Sequence, residues 1–158
     1  MFNIGDMILY PMHGAGVIES IEEREVLGCK NKYYIMRIPI DDMKVMIPID
    51  CIETLGIRKI VSKSDAETVV AILSGSASRM EKKWNKRYRH SEAVMRKGDI
   101  FGMAEIVKNL TLIDRAKKLS AGEKKILCNA RQILASELML VWNLSKDEVD
   151  NKLESCIK

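Results

Sequence analysis

Short apolar runs broken by turn residues fill the first sixty positions. The runs are Met7-Ile8-Leu9-Tyr10, Gly16-Val17-Ile18-Glu19-Ser20-Ile21, Lys32-Tyr33-Tyr34-Ile35-Met36-Arg37-Ile38 and Lys44-Val45-Met46-Ile47-Pro48. Between them stand Pro11-Met12-His13-Gly14, Leu27-Gly28-Cys29-Lys30-Asn31 and Pro39-Ile40-Asp41-Asp42. β-branched and aromatic residues concentrate in the runs, while Gly, Pro, Asn and Asp concentrate between them, which is the pattern of strands joined by turns. Four or five short strands in roughly fifty residues predict a small, strongly bent antiparallel β barrel of the SH3 or Tudor kind. All three prolines lie in this part, where turns and strand ends tolerate the missing N–H.

Past residue 60 the period becomes helical. Four Ser-x-x-Glu pairs occur, at Ser64/Glu67, Ser78/Glu81, Ser120/Glu123 and Ser145/Glu148. In such a capping box the serine hydroxyl accepts from a free backbone N–H while the glutamate reaches back to the serine N–H. With the apolar spacing behind them, they predict helices over 65–74, 79–96, 99–117, 121–141 and 146–157. The third starts after Lys97-Gly98-Asp99, a helix stop followed by an N-cap. In the fourth, Ile126, Ala130, Ile133, Leu134, Leu138 and Val141 form one stripe, and Trp142 at its end is expected to pack. The expected class is α+β: a small antiparallel barrel over 1–60, then an all-helical bundle over 61–158.

Charge divides at the same place. Residues 1–60 hold seven Lys/Arg against nine Asp/Glu, a net of −2, and residues 61–158 hold nineteen against thirteen, a net of +6. The excess is concentrated in residues 79–97 and 108–131. A mildly acidic front and a basic back suggest two modules with different partners.

Enzymatic chemistry has little to stand on. There is no GxGxxG after a strand, no GxxxxGK[ST], no GxSxG and no HExxH. Gly14-Ala15-Gly16 leads into a strand, so no helix N-terminus is offered to a phosphate, and it reads as a tight turn. Cys29, Cys51, Cys128 and Cys156 make no CxxC pair, and the two histidines, His13 and His90, have no ligand-spaced neighbours. Reduced thiols, most of them buried as small hydrophobes, are expected, with no metal and no cofactor. No apolar run reaches about eighteen residues, and the N-terminus lacks a basic stretch followed by an apolar one. A cytoplasmic, non-enzymatic protein, away from membranes and monomeric when free, is the expectation.

The most informative segment is Glu81-Lys82-Lys83-Trp84-Asn85-Lys86-Arg87-Tyr88-Arg89-His90. Lysine and arginine attract phosphates, and an indole among them can stack on bases or wedge between them. Met80, Trp84, Tyr88 and Met95 also make a core-like stripe, in which case the cations are a solvated outer face. On these residues both readings of Trp84 stand. Arg24, flanked by Glu22-Glu23 and Glu25, is likewise either a charged hairpin tip or a partner-facing residue.

Three motifs in order resemble the CarD/CdnL family of bacterial transcription regulators. They are Ile4-Gly5-Asp6-Met7-Ile8-Leu9-Tyr10-Pro11-Met12-His13-Gly14-Ala15-Gly16, then Trp84-Asn85-Lys86-Arg87-Tyr88, then Leu119-Ser120-Ala121-Gly122-Glu123-Lys124-Lys125 running on to Ala130-Arg131-Gln132-Ile133-Leu134. The first is shared with the polymerase-binding domain of transcription-repair coupling factors, but 158 residues leave no room for that protein's motor domains.

The resemblance implies a Tudor-like front barrel that docks on the β subunit of RNA polymerase. It implies a helical half that reaches promoter DNA at the upstream edge of the transcription bubble. The family's tryptophan, matched by Trp84, wedges into the minor groove there, and Lys86, Arg87 and Arg89, with Lys83 beside them, match the cations that hold the backbone. Arg24 matches a basic position used against the polymerase. Some members carry a second basic contact in the strand Lys44–Pro48, where this chain has Met46, so contact there falls to Met46 itself, to backbone or to Lys44. Two rival readings remain: a nucleic-acid-binding protein independent of polymerase, and a protein adaptor whose basic helices meet an acidic partner.

Overall fold

A computed structural model describes residues 2–76 and 83–157, and of Trp84 the backbone. The front part holds β1 (Met7–Tyr10), β2 (Gly14–Val26), β3 (Cys29–Ile38) and β4 (Met43–Pro48). A 3-10 turn (Ile49–Cys51), α1 (Ile52–Leu55) and β5 (Arg58–Lys59) follow. All pairings are antiparallel and the sheet order is β4-β3-β2-β1-β5. Alternation places Tyr34, Met36 and Ile38 on one face of β3, where they meet Ile8, Ile18, Ile47 and Ile57 in a core of their own. The helices are α2 (Lys63–Ser74), α3 (Trp84–Lys97), α4 (Ile100–Ala116), α5 (Ala121–Trp142) and α6 (Lys146–Cys156). The expected α+β class, antiparallel sheet first and helices after it, is what the chain forms.

β2 and β3 run further than the apolar runs that announce them. Their pairing continues past Ile21 and Tyr34 to Val26 and Cys29, as a polar arm. That arm buries no apolar face, so hydrophobic alternation is silent there. The backbone ladder extends it instead, with Glu23 opposite Lys32 and Glu25 opposite Lys30. Leu27 and Gly28 close it with φ of 52° and 79°, the two left-handed residues of a type I′ turn. Gly14-Ala15-Gly16, expected as a turn, is instead the start of β2. A Cβ on Gly16 would stand 2.1 Å from the Arg37 carbonyl oxygen, so the glycine is there because β3 approaches too closely for a side chain.

Helix starts follow their serines with one shift. α2 is capped by Ser62, not Ser64: Ser62 Oγ accepts from the Asp65 N–H at 3.2 Å, because Ser62-Lys63-Ser64-Asp65 offers the same spacing two residues earlier. The Ser78/Glu81 box and the expected start of the second helix at 79 lie outside the described residues. Asp99 caps α4, and Ser145 with Glu148 forms a complete box at 3.2 and 3.3 Å. Ser120 caps α5 by accepting from the Glu123 N–H at 3.3 Å, while the Glu123 carboxylate is turned to another use.

Leu9 and Ala15 of the sheet are buried in the helical core beside Leu134, Ala135 and Leu138, so the two halves pack as neighbours. The Ala15 N–H donates to Ser136 Oγ at 2.9 Å across that seam. Trp142 packs half-buried against the same core, with Lys152 Nζ 4.1 Å from its ring centre. The cysteines depart from expectation. None is buried: Cys29 and Cys128 are exposed, and Cys51 and Cys156 are half-buried, Cys156 against the helical core.

Candidate protein and nucleic-acid interfaces

Register decides which side chains of the sheet stand together. Along β3, Asn31, Tyr33, Ile35 and Arg37 alternate with the core residues and so face away from the front core. Arg24 is opposite Asn31, Met46 opposite Ile35 and Lys44 opposite Arg37, so all three share that outer face. A bulge between Ile18 and Ser20 shifts β2 by one residue and keeps the pattern in phase on either side. Each cation here has an acid beside it. Arg24 donates to Glu22 at 2.8 and 3.2 Å, Lys44 lies 3.3 Å from Glu19, and Arg37 reaches Asp42 at 2.8 Å. These pairs are solvent-exposed and cheap to exchange for another partner. Met46, 41% exposed, is an apolar point on this polar face.

The basic segment of the helical half divides in a way its sequence hides. Trp84 is the first residue of α3, and its side chain lies outside the described set. Lys83, Lys86, Arg89 and His90 are exposed around the start of the helix. Arg87 is not with them. It is 7% exposed, and its Nε and Nη2 each donate to the Glu123 carboxylate at 2.6 Å, with Glu123 itself 2% exposed. Hydrogen bonding to Glu123 holds the guanidinium above its ordinary range, against the opposing effect of burial. Arg87 therefore belongs to the packing of α3 on α5 and stands apart from the exposed cations Lys83, Lys86 and Arg89. The buried row of α3 runs through Arg87, Ser91 and Met95, at i, i+4 and i+8. Apolar periodicity cannot flag such a row when its first member is an arginine and its second a serine.

The third motif supplies the seat for this helix. Besides Glu123, Gly122 stands so close to Tyr88 that a Cβ there would be 3.2 Å from the ring. Contact between Arg87 and Glu123 also puts the next residues, exposed Lys124 and Lys125, at the same end of the helical half as Lys83 and Lys86. Lys117 and Lys118, in the connection before α5, are exposed as well. In the sequence these lysines fall in a separate basic block; the Arg87–Glu123 and Tyr88–Gly122 contacts bring the two blocks together. The result is a positively charged end with a tryptophan at the head of a helix, suited to polyanion backbones. Among the described residues, no three His, Cys, Asp or Glu side chains come together as metal ligands.

Comparison with known proteins matches both parts of the chain. A family model described as the CarD-like/TRCF RID domain matches residues 2–61, and one described as the CarD C-terminal domain matches residues 68–154. Over 149 residues the chain is 38% identical to YdeB of Bacillus subtilis (strain 168), which carries the name of a transcription factor; 94% of this chain and 97% of that one are covered. The solution NMR structure of the 72-residue N-terminal domain of Myxococcus xanthus CarD is similar over 37% of this chain and 79% of that one, at 32% identity and a TM-score of 0.33. With both halves matched in order and a relative aligned along nearly its whole length, the chain belongs to the CarD-like family of transcription factors.

Proposed function

We propose that this protein is a non-enzymatic cytoplasmic factor that docks on the β subunit of RNA polymerase and stabilises the open promoter complex. In this reading residues 1–60 form the docking unit, through the outer sheet face of Arg24, Lys44 and Met46, and residues 61–158 form the DNA unit. The observation that carries the reading is the position of Trp84: first residue of α3, with Lys83, Lys86 and Arg89 exposed around it. A helix head is where an indole can reach into a groove while neighbouring cations hold phosphates.

The mechanism is differential affinity. A wedge that fits the opened junction and not the closed duplex shifts the equilibrium by the difference between the two. Stacking worth ~1–3 kcal/mol lengthens the life of the open complex by roughly five- to a hundred-fold. The helical half carries a net charge of only +6, the difference between nineteen cations and thirteen anions, so affinity for free DNA is modest and tethering through the polymerase supplies the local concentration.

The test is the half-life of open complexes after a competitor challenge, with no factor, with wild type and with Trp84→Ala. Several-fold extension by wild type, mostly lost in the mutant while polymerase binding persists, is the expected result. Equal action of both proteins removes the wedge. Tight, salt-sensitive binding to bare nucleic acid without polymerase would favour the polymerase-independent alternative instead.

A further inference from the structure

We infer that the buried Arg87–Glu123 pair, with Tyr88 seated on Gly122, is a positioning lock that fixes the first turn of α3, and so residue 84 at its head, to the start of α5. The inference rests on the reading of Trp84 as the DNA-contacting residue. It assigns the Leu119–Lys125 motif a task that docking and phosphate binding leave open.

The two ends of α3 are held differently. At the C-terminal end, Gly98 is a left-handed cap, Arg96 and Lys97 complement the helix dipole, and Gly98 abuts Pro11 in the turn after β1. At the N-terminal end the local chemistry is adverse. Lys83 occupies the N-cap without a side-chain hydrogen bond, the first turn holds no acid, and Lys86 places positive charge at the positive end of the helix dipole. Asn85 Oδ1 takes up one free N–H, that of Lys86, at 2.9 Å. Left to its own residues this turn would fray.

Arg87 and Glu123 supply what the turn lacks. Two parallel bonds of 2.6 Å fix direction as well as distance, as a single-point lysine contact would not. Glu123 cannot swing away easily, because its own N–H is bound to Ser120 and its carboxylate sits in the first turn of α5, the favourable end of that helix dipole. A buried ion pair adds little net stability over an apolar pair of the same size, so its value here is geometric. A wedge held in place before DNA arrives avoids the ordering cost that a frayed turn would incur at each encounter.

Arg87→Met and Glu123→Gln change charge in opposite directions, which separates position from electrostatics. Each is assayed in the full chain for open-complex half-life and for amide exchange over residues 84–90 against 91–98, beside Trp84→Ala. The lock predicts that both variants lose most of the lifetime extension, and that exchange quickens roughly tenfold or more in 84–90 while 91–98 stays protected. Loss in Arg87→Met with gain or no change in Glu123→Gln would make Arg87 a phosphate contact and overturn the lock. Unchanged exchange over 84–90 in both variants would overturn it too. Should either single variant unfold, Arg87→Met/Glu123→Met fills the space with an apolar pair. A folded double variant that regains protection and lifetime supports the lock, and one that regains neither refutes it. If Trp84→Ala leaves the lifetime untouched, the wedge reading falls, and the exchange data still judge the lock on their own.

Discussion

Arg58 on the edge strand β5 grips Glu137 in the middle of α5 through two hydrogen bonds, of 2.7 and 3.0 Å, and the Glu137 side chain is wholly buried. The same guanidinium donates to the Gly98 carbonyl at 2.8 and 3.2 Å, and Glu137 also accepts from the Val61 N–H at 2.9 Å. One side chain thus joins the sheet, the C-terminal end of α3 and α5, with its positive charge at the negative end of the α3 dipole. The sheet half and the helix that begins at Trp84 are coupled through this joint. Removing the cation strands a buried carboxylate, so Arg58→Met is expected to lose about 3–5 kcal/mol of stability in urea unfolding at constant m. Arg58→Met/Glu137→Met should recover much of it, because neither charge is then left alone. A single-variant loss below about 1 kcal/mol would mean that water reaches Glu137 and that the joint is weak.

That joint also marks where sequence reading stops. Strand and helix positions were legible because burial writes a period into the chain: Tyr34, Met36 and Ile38 at every second residue, Ile126, Ala130, Ile133 and Leu134 at helical spacing. The outer arm of β2 and β3 was not, since it buries nothing and is held by backbone pairing. Arg58, Arg87, Glu123 and Glu137 were illegible for a different reason. A charged residue reads as solvent-facing unless its partner is known, and these partners lie 79 and 36 positions away. The grouping of Arg24, Lys44 and Met46 on one face follows from period two once the register is given, but turn length and the bulge at Ile18/Ser20 set that register, and neither could be counted from the residues alone.

Met46 brings no charge to the outer sheet face that it shares with Arg24 and Lys44. Lys44 and Arg24 are each neutralised by a neighbouring glutamate, so the face has little electrostatic reach as it stands. Met46→Lys is expected to raise the association rate with polymerase and make it more salt-dependent, with little change in dissociation. Arg24→Ala should act the opposite way on the same rate. Surface plasmon resonance on the isolated β subunit at two ionic strengths distinguishes them; a Met46→Lys effect confined to dissociation would mean that the methionine is packed in the interface and does not merely lie beside it.

Lys86 and Arg89 are exposed cations on α3. If each neutralises one phosphate, Lys86→Ala and Arg89→Ala should each reduce the slope of log K against log salt by about 1 for binding to a forked promoter duplex. The effect should be the same for unrelated sequences, because phosphate contacts carry no base information. An unchanged slope in both variants would place the DNA on another face, with Lys124 and Lys125 as the next residues to remove.

The C-terminal helix is pinned by one carboxylate. Glu154 on α6 receives Arg131 of α5 and, at 3.2 Å, Arg115 of α4, while Arg115 also donates to the Ile157 carbonyl at 3.1 Å. Hydrogen bonding from Arg131, aided by its charge and by Arg115, outweighs burial and holds the Glu154 carboxyl below its ordinary value of 4.5. A depressed folded pKa means that the ionised carboxylate is the stabilising form. Its contribution is complete above 4.5, begins to fade as pH falls past that value, and is gone once pH has dropped through the folded pKa. Because Glu154 is more than half exposed, water screens the cluster and the contribution at neutral pH is under about 1 kcal/mol. Protection factors along α6, which correct exchange rates for their intrinsic pH dependence, should therefore fall on acidification below 4.5, ahead of those in α5. Glu154→Gln should exchange faster than wild type at pH ~7 and lose this acid dependence, since the amide has no proton to gain at these pH values. Acid loosening of α6 that persists unchanged in Glu154→Gln would mean that the Glu154 cluster does not govern the acid response of this helix.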